Sequence, residues 1–325
     1  AQMLKELRDL HMTTFKLVQD HVLQQRPQQE DESDSEYKKA VRARSFDIAR
    51  STIPAGALTN LSWHVNLRQL ADKLDYLRHH PLEEIRAIAA GIESLALVAH
   101  PHAFKAKRYT DTEQYRSRWM RNGYLQSDGP EFHFESLINL KTLGNYREVL
   151  WNRPEKTELP RIVGEAGIFN VECKIDYGSY RDIQRHRSLT QSMPLLTANH
   201  GYGEWYLKEL PIELRKTTEV FLTWYKASLQ ELQQETGASP EIMQYYIPMG
   251  YQIPLRLSGP LPAWVYTVEL RTSSAVHPTL QKIMHRVVDE MIERYGDAGL
   301  RLHIPDSDGS FSFARGQQDI MLREK

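Results

Sequence analysis

IFNVECKIDYGSYRDIQRHRSLTQS, residues 168–192, decides the fold. Its first nine residues alternate. Phe169, Val171, Cys173 and Ile175 share one face and Asn170, Glu172, Lys174 and Asp176 the other, which is the period of a half-buried strand. Gly178 and Ser179 then break the pattern, and Ser179 is the expected N-cap of a short helix. Arg185, His186 and Arg187 fall on that helix or at its exit, with their heads fanning to different sides. Two guanidiniums and an imidazole at one spot suit a phosphorylated or flavin-type ligand, because arginine offers a planar fork to phosphate and ring oxygens. A solvated basic helix face is the competing reading of the same triplet.

Around this stretch, 325 residues with 41% hydrophobic content suffice for one large domain or two ordinary ones. Forty-one Lys and Arg against 42 Asp and Glu leave a net charge of −1, so any anion site must be local rather than a property of the whole surface. Cys173 is the single cysteine, which excludes an internal disulfide and a cysteine-built zinc site; no metal is expected. No apolar run reaches the length of a membrane span and no secretory pattern opens the chain, so a cytoplasmic location and no membrane partner are expected. The opening Ala1-Gln2-Met3 reads as a chain caught partway.

In order, residues 4–25 have helical apolar spacing, and the acidic run 30–36 reads as a solvated loop leading to a second helix over 37–53 that stops before Pro54. Residues 58–66, LTNLSWHVN, alternate as a strand; 67–79 are helical again, and Pro81 opens a further helix. Residues 100–129 interleave Lys105, Lys107, Arg108, Arg116, Arg118 and Arg121 with Tyr109, Tyr115 and Trp119. An exposed helical connector is expected there, with nucleic-acid contact the lesser alternative. A strand over 132–140 and a short helix over 143–151 precede the opening stretch. After it come a long helix over 211–235 closed by Gly237, a helix from Ser239-Pro240 to Pro248, and YQIPLRLS (251–258), where Pro254 predicts an edge or bulged strand. Helices from Gly259-Pro260 and over 278–295 complete the series, followed by a mixed tail.

This order of elements occurs twice. Ile53-Pro54 matches Ile247-Pro248, Leu77-Arg78 matches Leu270-Arg271, and His80-Pro81 matches His277-Pro278, at separations of 194, 193 and 197 residues. Near-constant offsets imply duplication with small insertions. The helix at 4–25 corresponds to that at 211–235, but nothing in the first half corresponds to 168–192, so the first repeat lacks its front part.

These residues resemble the flavin-dependent thymidylate synthases, whose signature opens with Arg-His-Arg and continues through a Ser, an Asn-Glu pair, another Ser and an Arg-Tyr pair. Here Arg185-His186-Arg187 is followed by residues 188–197, SLTQSMPLLT, so the second half of the signature is absent. The rear of that family, an Arg before Leu-Pro, an aromatic strand with Trp-x-Val-Asn, then a helix ending in Leu-Arg with a His after it, is matched by Arg50, Ile53-Pro54, Trp63-His64-Val65-Asn66, Arg68, Leu77-Arg78 and His80. The second half keeps Pro248, Leu270-Arg271 and His277, with Gln244 and Pro260 where the Arg and Asn belong.

The resemblance implies an α+β fold made of two repeats, helices packed on a mainly antiparallel sheet: the rear of a first repeat (1–99), a connector (100–130), a second repeat (131–298) and a tail (299–325). It implies FAD as cofactor, held by Arg185, His186, Arg187, Asn66, His80 and His277, with NADPH and methylene-tetrahydrofolate as co-substrates. Arg50 and Arg78 would bind a uracil nucleotide, and Arg78 or Arg271 would stabilise charge as C5 is reductively methylated. For Arg78 and Arg271 a helix C-terminal role is the alternative, and for the two histidines a capping role. A composite site between the repeats and a homo-oligomer, a dimer of tandem chains, follow from the family's intersubunit sites. The alternative function is a non-catalytic nucleotide- or flavin-binding or assembly module of the same fold.

Overall fold

A computed structural model describes residues 2–30, 32–102, 104, 107–124 and 128–305. Asp31 of the acidic run, Lys105 of the basic connector and the tail from 306 lie outside the described residues. The elements run α1 (Gln2–Gln25), α2 (Asp34–Ala49), α3 (Leu67–Leu77), α4 (Glu83–Ala99), α5 (Thr110–Asn122), β1 (Phe132–Ser136), α6 (Leu140–Gly144), α7 (Arg147–Trp151), β2 (Ile168–Asp176), α8 (Tyr177–Ile183), β3 (Thr190–Ser192), α9 (Glu204–Lys208), α10 (Ile212–Thr236), α11 (Pro240–Met243), β4 (Gln252–Pro260), α12 (Leu261–Arg271) and α13 (Pro278–Tyr295). The fold is α+β, with one antiparallel four-stranded sheet, order β1-β2-β4-β3, among the described residues.

The predicted alternation of β2 sets the sheet's inner face. Val171, Cys173 and Ile175 stand opposite Leu257, Leu255 and Ile253 of β4, all buried, and α12 and α13 cover them. Trp264 of α12 stacks on Phe169 with ring centroids 4.7 Å apart, and Phe169 on Phe134 at 4.6 Å, so three aromatic rings fill the centre. Pro254 does not make β4 an edge strand, as the sequence predicts; β4 is central. Opposite it, Lys174 N–H bonds outward to the Glu131 carbonyl on the β1 side. Residues facing each other without exchanging bonds point their amides away from one another, so position 254 looks toward β3. Because β3 pairs with β4 only at residues 256–258, the missing N–H of Pro254 leaves no ladder bond unmade.

Where the halves meet, the chain is nearly two-fold symmetric. Pro54 bridges Pro248 antiparallel. Ala55 N–H donates to Ile247 O at 2.8 Å and Met249 N–H to Ile53 O at 2.9 Å; Gly56 N–H donates to Tyr245 O at 2.9 Å and Gly250 N–H to Ser51 O at 2.7 Å. A shift of 194 residues turns each bond of a pair into the other, which is the reciprocity of a two-fold contact. The 3₁₀ turns Arg50–Thr52 and Gln244–Tyr246 precede the two Ile-Pro pairs, and α3 and α12, eleven residues each, start from N-caps Asn66 and Pro260, again 194 apart. Helix α1 packs on α10, and its Leu7 enters the core built largely by the second half.

The correspondence fails at residues 58–66. The predicted strand is not formed, and Leu58 is 100% and Leu61 89% exposed. Its counterpart β4 owes its extended form to ladders with β2 and β3, and the described first half contains no such partners. Alternation shows that a segment fits a sheet; it does not supply one.

Candidate functional site

Asp176, rather than Ser179, caps α8: its Oδ1 accepts from Ser179 N–H at 2.8 Å. The helix therefore starts three residues earlier than predicted and ends at Ile183, so the Arg-His-Arg triplet lies in the tight turn between α8 and β3. His186 N–H donates to Ile183 O, and Leu189 N–H to His186 O. The turn sends alternate side chains in opposite directions, leaving Arg185 and Arg187 exposed and His186 buried.

His186 is engaged at both nitrogens. Arg271 Nε donates to its Nε2 at 2.8 Å, and its Nδ1 lies 3.1 Å from Thr267 Oγ1, whose own hydroxyl donates to Ala263 O. These partners assign a neutral imidazole protonated on Nδ1. Burial first, and the Arg271 charge second, push its pKa down to about 4. Arg271 completes its fork on Asp182 O at 3.0 Å. The triplet's histidine and the Leu-Arg arginine therefore meet each other in the second half.

Arg50 is buried in the seam between the halves, 3.9 Å from Asp47. Burial opposes its charge, yet Tyr206, Asp47 and Asp176 together raise its pKa, and no good-geometry hydrogen bond reaches its Nε or Nη2 among the described residues. Asp176 is the hub beside it, accepting from Tyr206 Oη at 2.6 Å and Thr279 Oγ1 at 2.5 Å. His277 caps α13 by accepting from Thr279 N–H, and its Nε2 lies 3.3 Å from Asp47 O in the other half. Asn66 caps α3 through Gln69 N–H, and His80 accepts from Leu82 N–H with its pKa lowered by burial and by Arg86.

Of the candidate site residues, two line cavities. Arg187 lines a cleft of about 1130 Å³ together with Trp63, His64 and Val65 and residues of α3 and α5. Arg78 lines an adjoining recess of about 270 Å³; the two share Asp75, Thr112 and Arg116. Arg78 forms a fork on Glu113 at 3.1 and 3.2 Å and pairs with Asp75 at 2.7 Å. Partial burial works against the charge, but the Glu113 bonds and both carboxylates hold its pKa above the ordinary value. Arg50, Asn66, His80, Arg185, His186, Arg271 and His277 are not part of either wall.

Sequence reasoning missed Lys73, Tyr115, Arg116 and Trp119 as cleft residues. For Tyr115, Arg116 and Trp119 the signal was the interleaving of aromatic and basic residues in 100–129, read as an exposed connector; Lys73, on α3, carried none. Among the described residues no group of three His, Cys, Asp or Glu side chains is placed to hold a metal ion, and no helix is long and apolar enough to cross a membrane.

No protein-family profile matches the chain. It is similar to a UPF0159 protein of Chlamydia pneumoniae, 27% identical over 307 residues, which is 80% of this chain and 57% of that protein. It is also similar to a UPF0159 protein of Chlamydia muridarum, 27% identical over 322 residues, and to one of Thermoplasma acidophilum, 22% identical over 302, in each case covering 58% of the relative. The chain thus spans less than three-fifths of the length of these curated relatives. Two solved structures of the flavin-dependent thymidylate synthase ThyX from Helicobacter pylori, both with FAD and dUMP, align over 53% of this chain and 99 to 100% of theirs. Identities are 15 and 16% and TM-scores 0.34 and 0.33, a loose likeness.

Proposed function

We propose that this protein binds a flavin nucleotide in the cleft between its halves and acts in reductive methylation of a uracil nucleotide or related pyrimidine at C5. One observation carries the reading: Arg187, from the triplet, lines the same cleft as Trp63–Val65, from the other half, and that cleft shares lining residues with the recess of Arg78. A volume of about 1130 Å³ accommodates a nucleotide ligand. Two adjoining spaces meet the need of a two-ligand reaction.

The residues present fit a flavin nucleotide. Arg187 carries an exposed fork suited to phosphate, and Trp63 offers a ring face. When bound and reduced, the flavin would supply the hydride, with NADPH and methylene-tetrahydrofolate as co-substrates. His186 would act indirectly, by fixing the turn that carries Arg187. Arg78 would meet a uracil oxygen or phosphate only by exchanging one of its two carboxylates. As in the family that the sequence resembles, a second copy of the chain would complete the assembly.

A second reading, a non-catalytic flavin- or nucleotide-binding module, is favoured by one observation: Arg78 and Arg271 are both held by the protein's own groups. Absorbance of the purified chain after incubation with FAD, followed by assay of dUMP methylation with NADPH and methylene-tetrahydrofolate, separates the two. Bound flavin with turnover is the expected result. Bound flavin without turnover selects the module, and a chain that stays flavin-free in excess FAD overturns both.

A further inference from the structure

Three bulky rings stand in water on one cleft. Trp63 is 42%, Trp119 53% and Tyr115 65% exposed, and all three are lining residues. Burying rings of this size is strongly favourable, so three of them left out around one concavity call for a ligand with an apolar face. Tyr115 and Trp119 are four residues apart on α5 and therefore share a face of that helix. Tyr76 of α3 meets Trp119 edge to face, centroids 6.3 Å apart at 62°, which holds the indole in place.

The charges around these rings are unequal in their freedom. Arg116 is taken by Asp75 at 3.0 Å and Glu113 at 3.5 Å, and Asp75 also pairs with Arg78. Lys73 on α3 and Arg187 from the second half have no acidic partner within 4 Å among the described residues. Asp72 likewise lines the cleft without an ion pair there, which disfavours a ligand carrying many negative charges.

We propose that α5 is the stacking wall of this cleft: Tyr115, Trp119 and Trp63 hold the planar ring of a heteroaromatic mononucleotide, and Lys73 and Arg187 take its phosphate. The assignment rests on reading the cleft as a nucleotide site and gives the connector helix, which lies outside the repeated elements, the specificity for a flat ring. Base stacking on such side chains is sequence-tolerant, so ring type is set by fit and phosphate number by the two cations.

The test is titration of the full chain by tryptophan fluorescence and calorimetry with flavin mononucleotide, riboflavin and uridine monophosphate. It compares wild type with Trp119→Ala, Trp119→Phe and the double variant Lys73→Gln/Arg187→Gln, each checked by circular dichroism. Trp119→Ala is expected to weaken flavin mononucleotide about tenfold and Trp119→Phe to restore it to within about twofold of wild type. The double variant is expected to bind the mononucleotide no better than wild type binds riboflavin. Flavin bound equally by wild type and both Trp119 variants overturns the stacking wall while leaving the flavin reading intact. Uridine monophosphate bound with the same Trp119 dependence, where flavins fail, overturns the flavin reading and supports the wall. Failure of all three ligands ends both, and a single-stranded oligonucleotide that binds tightly and is not displaced by them overturns the mononucleotide assignment.

Discussion

Two arginines that occupy matching places in the repeat have different neighbours, and so different consequences when removed. Arg78 borders a recess and is charged against Glu113 and Asp75, whereas Arg271 is tied to His186 and the Asp182 carbonyl. Arg78→Ala is expected to weaken uracil nucleotide binding by about 1.5–3 kcal/mol, one to two decades, with little effect on unfolding. Arg271→Ala is expected to leave affinity unchanged and to cost about 1–3 kcal/mol of stability, because the buried His186 and the carbonyl of half-buried Asp182 lose their donor. Paired titration and urea unfolding check this; a loss of affinity confined to Arg271→Ala reverses the assignment. His186 adds a pH dependence. Its pKa of about 4 in the fold lies below the ordinary 6.5, so below pH 6.5 the unfolded chain takes up a proton that the folded one refuses. Stability therefore falls as pH drops from 6.5 to 4 and is unaffected above 6.5, by on the order of 3 kcal/mol in all. Chemical unfolding across that range should show a shallower fall in His186→Gln; equal falls would mean that His186 is protonated in the fold. Burial of His186 is not written in its triplet, since only α12, eighty residues later, supplies Thr267 and Arg271.

At the scale of elements, sequence and structure part where a partner is required. The strand 168–176 was legible because its alternation and its partners β1 and β4 both exist in the chain. Residues 58–66 have the same alternation without the partners. Backbone amides there should exchange with solvent near the rate of unfolded chain, while those of β4 facing β2 are protected by many orders of magnitude, as hydrogen exchange with mass spectrometry will read. Protection of 58–66 comparable to β4 would mean that it pairs in solution. The same logic explains Pro254: a proline predicts an edge, but what matters is whether a neighbour reaches its N–H, and the shortness of β3 settles that. Gly237, by contrast, acts locally, ending α10 with φ +62° as its sequence position implies.

For the whole molecule, the halves are one cooperative body at the seam. Leu7 of α1 is 1% exposed within the core that Ile247, Tyr251 and Tyr225 share. Leu7→Ala should cost about 2–5 kcal/mol. It should lower the main thermal transition without splitting it in two; separate transitions for 2–56 and 131–305 would contradict a shared core. Cys173 reports on the same event. Fully buried in β2, its thiol is pushed up to about 12, so it should react with a thiol reagent only at the rate of global unfolding.

The residues alone determined the α+β class, the duplication and most helix boundaries, because periodicity, caps and prolines act over one or two turns of chain. Only the tertiary structure decided that His186 turns inward, that Arg50 is sealed in the seam, that 58–66 stays unpaired and that α5 walls the cleft with Trp119. Each of these depends on groups far away in sequence, and a side chain's burial, charge and reach are set by what is brought against it.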